Sequence, residues 1–101
     1  MKSPNYVIQK EDARYITKVY KYLRKLGLCE SQYQFSTQYL NKSKYYYSVI
    51  LCEQRSPSID AVNNLIKNIG TLNEGLTKQM YLNELYEEGE KIITKRLLKY
   101  L

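Results

Sequence analysis

The residues of this chain with the clearest chemical use are lysines and tyrosines that crowd together between positions 42 and 47. Lys42 and Lys44 precede three consecutive tyrosines, Tyr45, Tyr46 and Tyr47. Three successive side chains on a helix cannot all face the core, so at least one ring must be exposed. An exposed tyrosine beside a lysine suits contact with phosphates, sugars and the thymine methyl group. The alternative is that the extra rings pack on the first helix or on a partner subunit.

Residue patterns typical of catalysis and metal binding are missing from the sequence. The chain has no histidine, the commonest general base and metal ligand. Its two cysteines, Cys29 and Cys52, lack CxxC spacing, and no nucleophile motif or glycine-rich phosphate loop occurs. We therefore expect a protein that is not an enzyme and uses no cofactor or metal, with both thiols reduced and structural.

The composition is typical of a globular protein with a modest core. The chain has 101 residues, of which 44% are hydrophobic, too many for wholesale disorder. No apolar run reaches the roughly 18 residues of a membrane span, and the opening sequence MKSPNYVIQKEDARY lacks the apolar stretch of a signal peptide. We expect a cytoplasmic protein.

The positive charge of the chain is unevenly distributed. Residues 1–70 carry eleven lysines and arginines against five acidic residues, whereas residues 71–101 carry five of each sign. The whole net charge of +6 therefore lies on the first part, as a surface that attracts phosphates requires. The alternative is a generally basic protein whose charge implies no partner.

Apolar spacing and helix-start signals predict an all-α fold, a compact bundle of about five helices with a helix-turn-helix and a C-terminal helix. The first helix is expected from Asp12 as cap to Leu26, with Gly27 left-handed. The second opens at Ser31, with Gln34 completing a capping box, and ends before a left-handed Asn41. The expected inward residues of the first helix are Ala13, Ile16, Val19, Leu23 and Leu26. Those of the second helix are Phe35, Tyr39 and Leu40.

The third helix is expected from Ser43, as its cap, to Glu53, only about three residues after the second. Tyr47, Ile50 and Leu51 have the spacing of its buried face. The fourth is expected to start at Ser56-Pro57 and to close at Gly70. Its expected inward residues are Ile59, Val62, Leu65, Ile66 and Ile69.

Residues 71–101 are expected to form a separate helical segment after a helix-turn-helix domain of residues 1–70, whose charge suits binding to DNA. Thr71 and Glu74 resemble a second capping box, and Gly89 indicates a bend or a close helix contact. The apolar stripe of this helix fits pairing with a second copy of the chain or packing on its own core, and we favour a dimer. The expected interface is Leu82, Leu85, Tyr86, Ile92, Ile93 and Leu97.

Residues 12–70 resemble the lambda-repressor-like, Cro-type helix-turn-helix family. The similarity rests on the closing sequence Arg55-Ser56-Pro57-Ser58 and on Phe35, Leu40, Asn41, Ser43, Tyr47 and Ile50. The chain departs from the family in Leu51, in Glu53 and in a second helix or turn one residue longer than usual. The resemblance implies that Gln32 anchors a phosphate and that Lys42 and Arg55 hold the DNA backbone. Residues that would face base edges are Ser43, Lys44, Tyr45 and Ser48, with Tyr46 and Val49 at the margin.

These observations predict a sequence-specific regulator of transcription, a repressor that binds double-stranded DNA as a homodimer. The main alternative is a protein-interaction module of the antitoxin or inhibitor kind, since exposed tyrosines also suit protein partners. RNA binding by tyrosine stacking is a third alternative.

Overall fold

The computed structural model describes residues 4–75 and 80–98, with side chains described over 12–72 and 81–98. Five helices follow one another: α1 (Pro4–Lys25), α2 (Gln32–Gln34, continued by a π-helix over Phe35–Tyr39), α3 (Tyr46–Glu53), α4 (Ile59–Gly75) and α5 (Met80–Leu98). These residues contain no strand, so the expected all-α bundle is confirmed. No helix in this part of the chain is both long and apolar enough to cross a membrane.

A single apolar core joins all five helices. Most of the predicted inward residues are buried in it: Ile16, Val19, Leu23, Phe35, Tyr39, Leu40, Tyr47, Ile50, Val62, Leu65, Ile66 and Ile69. An aromatic cluster of Tyr20, Phe35 and Tyr47 lies where α1, α2 and α3 meet, with ring centroids 4.9–5.1 Å apart. Such tilted and edge-on pairs add stability beyond the area they bury.

The first helix begins at Pro4, eight residues before the expected start. Proline suits the first turn because its missing N–H would have no partner there. Asp12 is not a cap: its carboxylate is buried, lies 3.1 Å from the Arg96 guanidinium and accepts a hydrogen bond from Ser56. The end of α1 is as predicted, since Gly27 is left-handed (φ 77°) and the Leu28 N–H donates to the Leu23 carbonyl.

The second helix starts at its predicted cap and then widens. The Ser31 hydroxyl accepts from the Gln34 N–H at 3.1 Å, while the Gln34 amide accepts from the Glu30 N–H rather than from that of Ser31. After Gln32–Gln34, residues Phe35–Tyr39 form a π-helix. A π-helix holds one residue more than an α-helix in each hydrogen-bonded turn, because its bonds join residues i and i+5.

Two asparagines of α4 complete the end of this π-helix. The Asn64 amide donates to the Leu40 carbonyl at 3.0 Å, and the Asn68 amide donates to the Tyr39 carbonyl at 3.0 Å. Asn41 then adopts the predicted left-handed conformation, with φ 57°. The hydrogen bonds from α4 therefore fix the direction in which the chain leaves α2.

The third helix begins at Tyr46, three residues later than expected, and Ser43 does not cap it. The buried Ser36 hydroxyl of α2 replaces that cap, because it accepts from the Tyr47 N–H at 3.0 Å. The connection accordingly spans residues 40–45, longer than a three-residue turn. Leu51, expected in the core, is instead 40% exposed, in the last turn of this short helix and at the margin of its buried face.

The start and end of α4 also differ from the prediction. Ser58, not Ser56, is its cap, since the Ser58 hydroxyl accepts from the Ala61 N–H at 3.1 Å. The helix runs through Gly70 to Gly75, and the Thr71 hydroxyl donates to the Lys67 carbonyl instead of opening a new helix. The expected boundary between residues 70 and 71 therefore falls inside α4.

The last helix packs against its own chain. Leu82 and Leu85 are fully buried, which corrects their assignment to a dimer interface. Tyr86, Ile92 and Ile93 are partly buried against the same core. Leu97 remains half exposed, and the expected continuation of the helix to the chain end falls on residues 99–101, outside the described residues.

Gly89 permits the closest approach between α5 and its neighbours. A methyl group at this position would collide with the Tyr15 hydroxyl and would lie 2.7 Å from Cγ1 of Ile66. Beside it, the Tyr15 hydroxyl donates to the Leu85 carbonyl at 2.8 Å. Of the two alternatives expected at Gly89, a bend or a close helix contact, the structure shows the close contact, which joins α1, α4 and α5 at one point.

We predict that Gly89→Ala destabilises the protein. Alanine favours helix by about 1 kcal/mol over glycine, but overpacking here should outweigh this and lower the free energy of unfolding by about 2 kcal/mol. Thr94→Ala, at an exposed position of α5, is the control and should be neutral or slightly stabilising. Urea denaturation measures both, and a Gly89→Ala protein as stable as the parent would contradict the prediction.

We also predict an alkaline loss of stability that depends on Tyr15. Burial, with the Glu88 carboxylate adding to it, raises the pKa of the Tyr15 hydroxyl well above its usual range. The unfolded chain therefore releases this proton first, so stability falls as the pH rises above about 10. Tyr15→Phe should cost about 1 kcal/mol at pH 8 and show a shallower decline between pH 9.5 and 11 in urea denaturation. An equally steep decline would refute the assignment.

Candidate nucleic-acid interface

The predicted contact residues lie mainly on α2, the 40–45 connection and α3. Between residues 31 and 52 the chain carries Lys42 and Lys44 and no acidic residue. The positive charges of this segment are therefore opposed only by residues from outside it. A surface of this kind attracts phosphates.

The centre of this region is a tyrosine–lysine surface formed by Tyr33, Lys44 and Tyr45. The Lys44 ammonium lies 5.7 Å from the ring centroid of Tyr33 and 5.3 Å from that of Tyr45. Both rings are more than half exposed, at 54% and 61%. Each ring attracts the ammonium through its π-electrons, which restrains a flexible lysine without neutralising its charge.

Tyr33 was missed by the sequence prediction. Its position can be read from the Ser31 cap, because a helix that starts there and buries Phe35 turns residue 33 outward. What the sequence does not show is the proximity of Tyr33 to Lys44 across the 40–45 connection.

Gln32 and Ser48 come together beside this surface. The Ser48 hydroxyl donates to the Gln32 side-chain oxygen at 2.9 Å, which ties the start of α2 to the middle of α3. The amide nitrogen of Gln32 remains available as a donor to an acceptor such as a phosphate. Ser43 lies apart from this pair, exposed in the turn before α3.

Lys42 and Tyr46 face α4 rather than the tyrosine–lysine surface. The Lys42 ammonium lies 2.8 Å from Asp60, and this hydrogen bond raises the pKa of Lys42. The Tyr46 hydroxyl accepts from the Ser58 N–H at 2.9 Å, so its ring covers the start of α4. Both residues therefore lie at the edge of the predicted interface.

Arg55 lies beyond the end of α3. Gln54 takes a left-handed conformation (φ 53°) that ends the helix, and the Arg55 side chain then pairs with Glu53 at 3.0 Å. Both partners are mostly exposed, and ion pairs of this kind contribute little to stability. The guanidinium can therefore exchange Glu53 for another anion.

Arg96 of α5 also reaches this end of α3, although the sequence prediction did not include it. Its guanidinium donates to the Pro57 carbonyl at 2.5 Å and pairs with Asp12. A contact between residues 39 positions apart leaves no local sequence signal.

The chemistry available on this surface is that of binding. It provides ammonium and guanidinium charges, amide and hydroxyl donors and exposed rings. Within residues 4–75 and 80–98, no three histidine, cysteine or acidic side chains gather to hold a metal. Cys29 is buried and donates to the Ser31 carbonyl, and burial raises the pKa of its thiol, whereas Cys52 is exposed on α3.

Comparisons with known proteins identify a family. Neither the curated proteins nor the solved structures provide a match to this chain. A family model described as a family of unknown function, DUF6626, matches residues 16–96 and so includes the end of α1, all of α2 to α4 and nearly all of α5. The chain belongs to the DUF6626 family.

Proposed function

We propose that this protein is a sequence-specific regulator of transcription, a repressor that binds double-stranded DNA as a homodimer. The observation that carries the proposal is the position of Lys44 between two exposed tyrosine rings, in a segment without acidic residues. This surface combines a charge for phosphates with flat rings and hydroxyls for base edges and sugars.

In the proposed complex, α3 enters the major groove with its exposed side toward the bases. Tyr45, at the start of the helix, and Val49, one turn later, form that side. The tyrosine hydroxyl can hydrogen-bond to a base edge, and valine can contact a thymine methyl group. Docking α3 in this way follows the resemblance to helix-turn-helix proteins.

The residues around α3 supply the contacts that set its position. Gln32, fixed by Ser48, directs its amide nitrogen from the start of α2 toward a phosphate, and Lys44 provides a charge to the same backbone. Phosphate contacts of this kind position a protein without reading sequence. Specificity then rests on the exposed side of α3.

Assembly as a homodimer stays part of the proposal, with a smaller interface than the sequence suggested. Because Leu82 and Leu85 are buried in the chain's own core, the apolar surface that α5 offers to a second copy centres on Leu97 and Leu98, both half exposed. The mass of the DNA complex in solution tests this part.

Lys44→Ala should weaken DNA binding. With a duplex selected from a random pool, we expect affinity to fall about tenfold and the slope of log K against log salt to decrease by about 1, since one phosphate contact is lost. Fluorescence anisotropy at several salt concentrations measures both quantities.

Lys91→Ala is the matched control for this experiment. It removes the same charge from an exposed lysine of α5, outside the tyrosine–lysine surface. The affinity and salt slope of this variant should stay near those of the parent. Failure of the parent to bind any duplex, or binding insensitive to salt, would refute the proposed function.

The two exposed tyrosines should contribute differently from the lysine. Tyr45→Ala should cost about 1–3 kcal/mol of binding free energy and relax the preference for particular bases, because it removes a base contact. Tyr33→Ala should weaken binding to all sequences, because its ring restrains Lys44. Repeated selection from a random pool with each variant measures these changes, and an unaltered preference in Tyr45→Ala would exclude a role in base reading.

One observation favours protein binding as a second candidate function. Val49 and Leu51 add exposed apolar side chains to the tyrosines of the same region, and mixed aromatic and aliphatic surfaces are typical of protein interfaces. A parent protein that ignores the DNA pool, but loses a defined protein partner on Leu51→Ser substitution, would support this function instead.

A further inference from the structure

A cleft of about 290 Å³ opens between α3, the start of α4 and the last turns of α5. Its lining includes two arginines from distant parts of the chain, Arg55 and Arg96, together with Ser56, Ser58 and Tyr46. Two guanidinium groups and several hydroxyl-bearing residues around one opening are a suitable environment for an oxyanion.

Arg96 is held rigidly at this cleft. Its Nη1 atom donates to the Pro57 carbonyl and lies 3.1 Å from the Asp12 carboxylate, and its side chain is only 24% exposed. A guanidinium has five N–H groups on three nitrogen atoms, and both of these contacts are made by Nη1 alone. The contacts with Asp12 and Pro57 therefore orient the group and leave donors for a ligand.

Arg55 complements this fixed group with a mobile one. Its Nε atom pairs with Glu53, and both side chains are more than half exposed. Because such a pair is weak, a phosphate can replace Glu53 without a large cost. Planar guanidinium groups bind phosphate oxygens with two parallel hydrogen bonds, which lysine cannot do.

We infer that this cleft binds a phosphate group through Arg55 and Arg96, and that the phosphate is a backbone phosphodiester of the bound DNA. The inference rests on the proposed function for the source of the phosphate. It makes α5 a part of the DNA-binding surface.

The position of the cleft relative to α3 supports this source. At 100° per residue, the exposed side of α3 that contains Tyr45 and Val49 lies between Ser48 on one flank and Tyr46 on the other. Gln32 adjoins Ser48, whereas the cleft adjoins Tyr46. A helix in the major groove has one phosphate backbone on each side, so Gln32 and the cleft would meet opposite strands.

A methylphosphonate scan tests this inference. Each phosphate of the selected duplex is replaced in turn by a neutral methylphosphonate, and affinity is measured for the parent, Arg55→Ala, Arg96→Lys and the control Lys91→Ala. Arg96→Lys keeps the positive charge beside Asp12 but removes the planar group. Thermal unfolding of each variant confirms that it is folded.

The parent should bind about tenfold more weakly when a methylphosphonate replaces the phosphate at one or two positions of one DNA strand. Arg55→Ala and Arg96→Lys should each bind the unmodified duplex about fivefold more weakly than the parent does. Methylphosphonate at those same positions should then reduce the affinity of either variant little further. Lys91→Ala should behave like the parent. If Arg96 had a purely structural role, Arg96→Lys would bind the duplex more weakly but its affinity would still fall about tenfold with methylphosphonate at those positions.

The possible outcomes separate this inference from the proposed function. Binding of duplex with parent-like sensitivity in both arginine variants would overturn the cleft site and leave DNA binding standing. If the parent binds no duplex, titration with inorganic phosphate, followed by NMR of the arginine side chains, becomes decisive. Saturable binding that both variants lose would support a phosphate site for a free ligand, while no binding would overturn both proposals.

Discussion

The close approach of α5 to α1 and α4 at Gly89 is the constraint on which the rest of the structure depends. Only glycine leaves room there for the Tyr15 hydroxyl and the Ile66 side chain, and the hydrogen bond from Tyr15 to the Leu85 carbonyl fixes the height of α5 on α1. Arg96 follows two turns later on the same helix. Its contacts with Asp12 and Pro57 therefore depend on the position of α5 that the close packing at Gly89 sets.

A second set of contacts holds α2 and α3, which form the proposed binding surface, in a fixed position on the core. The Ser36 hydroxyl caps α3 from within α2, and the rings of Tyr20, Phe35 and Tyr47 fill the space between these helices and α1. Since α2 and α3 are joined by buried contacts, their outward residues keep a constant relation to each other. The proximity of Tyr33, Lys44 and Tyr45 is one result of this rigidity.

Local signals in the sequence were sufficient where a single residue determines the backbone. Ser31, Gly27 and Asn41 act through their own hydroxyl or through a left-handed conformation, and all three behave as expected. The prediction failed where a distant group took over a local role. Ser36 made a cap at Ser43 unnecessary, and Arg96 used Asp12 as a buried partner.

Gly70 and the site residues also show that local sequence cannot reveal contacts between distant parts of the chain. Gly70 faces the Tyr86 ring inside a continuous helix, so the residue that looked like a stop signal provides space for a neighbour. Lysines and tyrosines at 42–47 could be recognised from their types alone. The partners Tyr33 and Arg96 could not, because they approach only when the helices pack.

The π-helix in α2 has a consequence for which way the following chain faces. One residue more per turn than a regular helix would need shifts everything after Phe35–Tyr39 by about 100° around the helix axis. Since one residue of a regular helix also turns the chain by about 100°, a version of α2 that lacked this residue and formed a regular helix would leave the 40–45 connection facing the same way. Gain or loss of a single residue at this point is thus a simple route by which related chains could differ in length while the bundle and its surfaces stay unchanged.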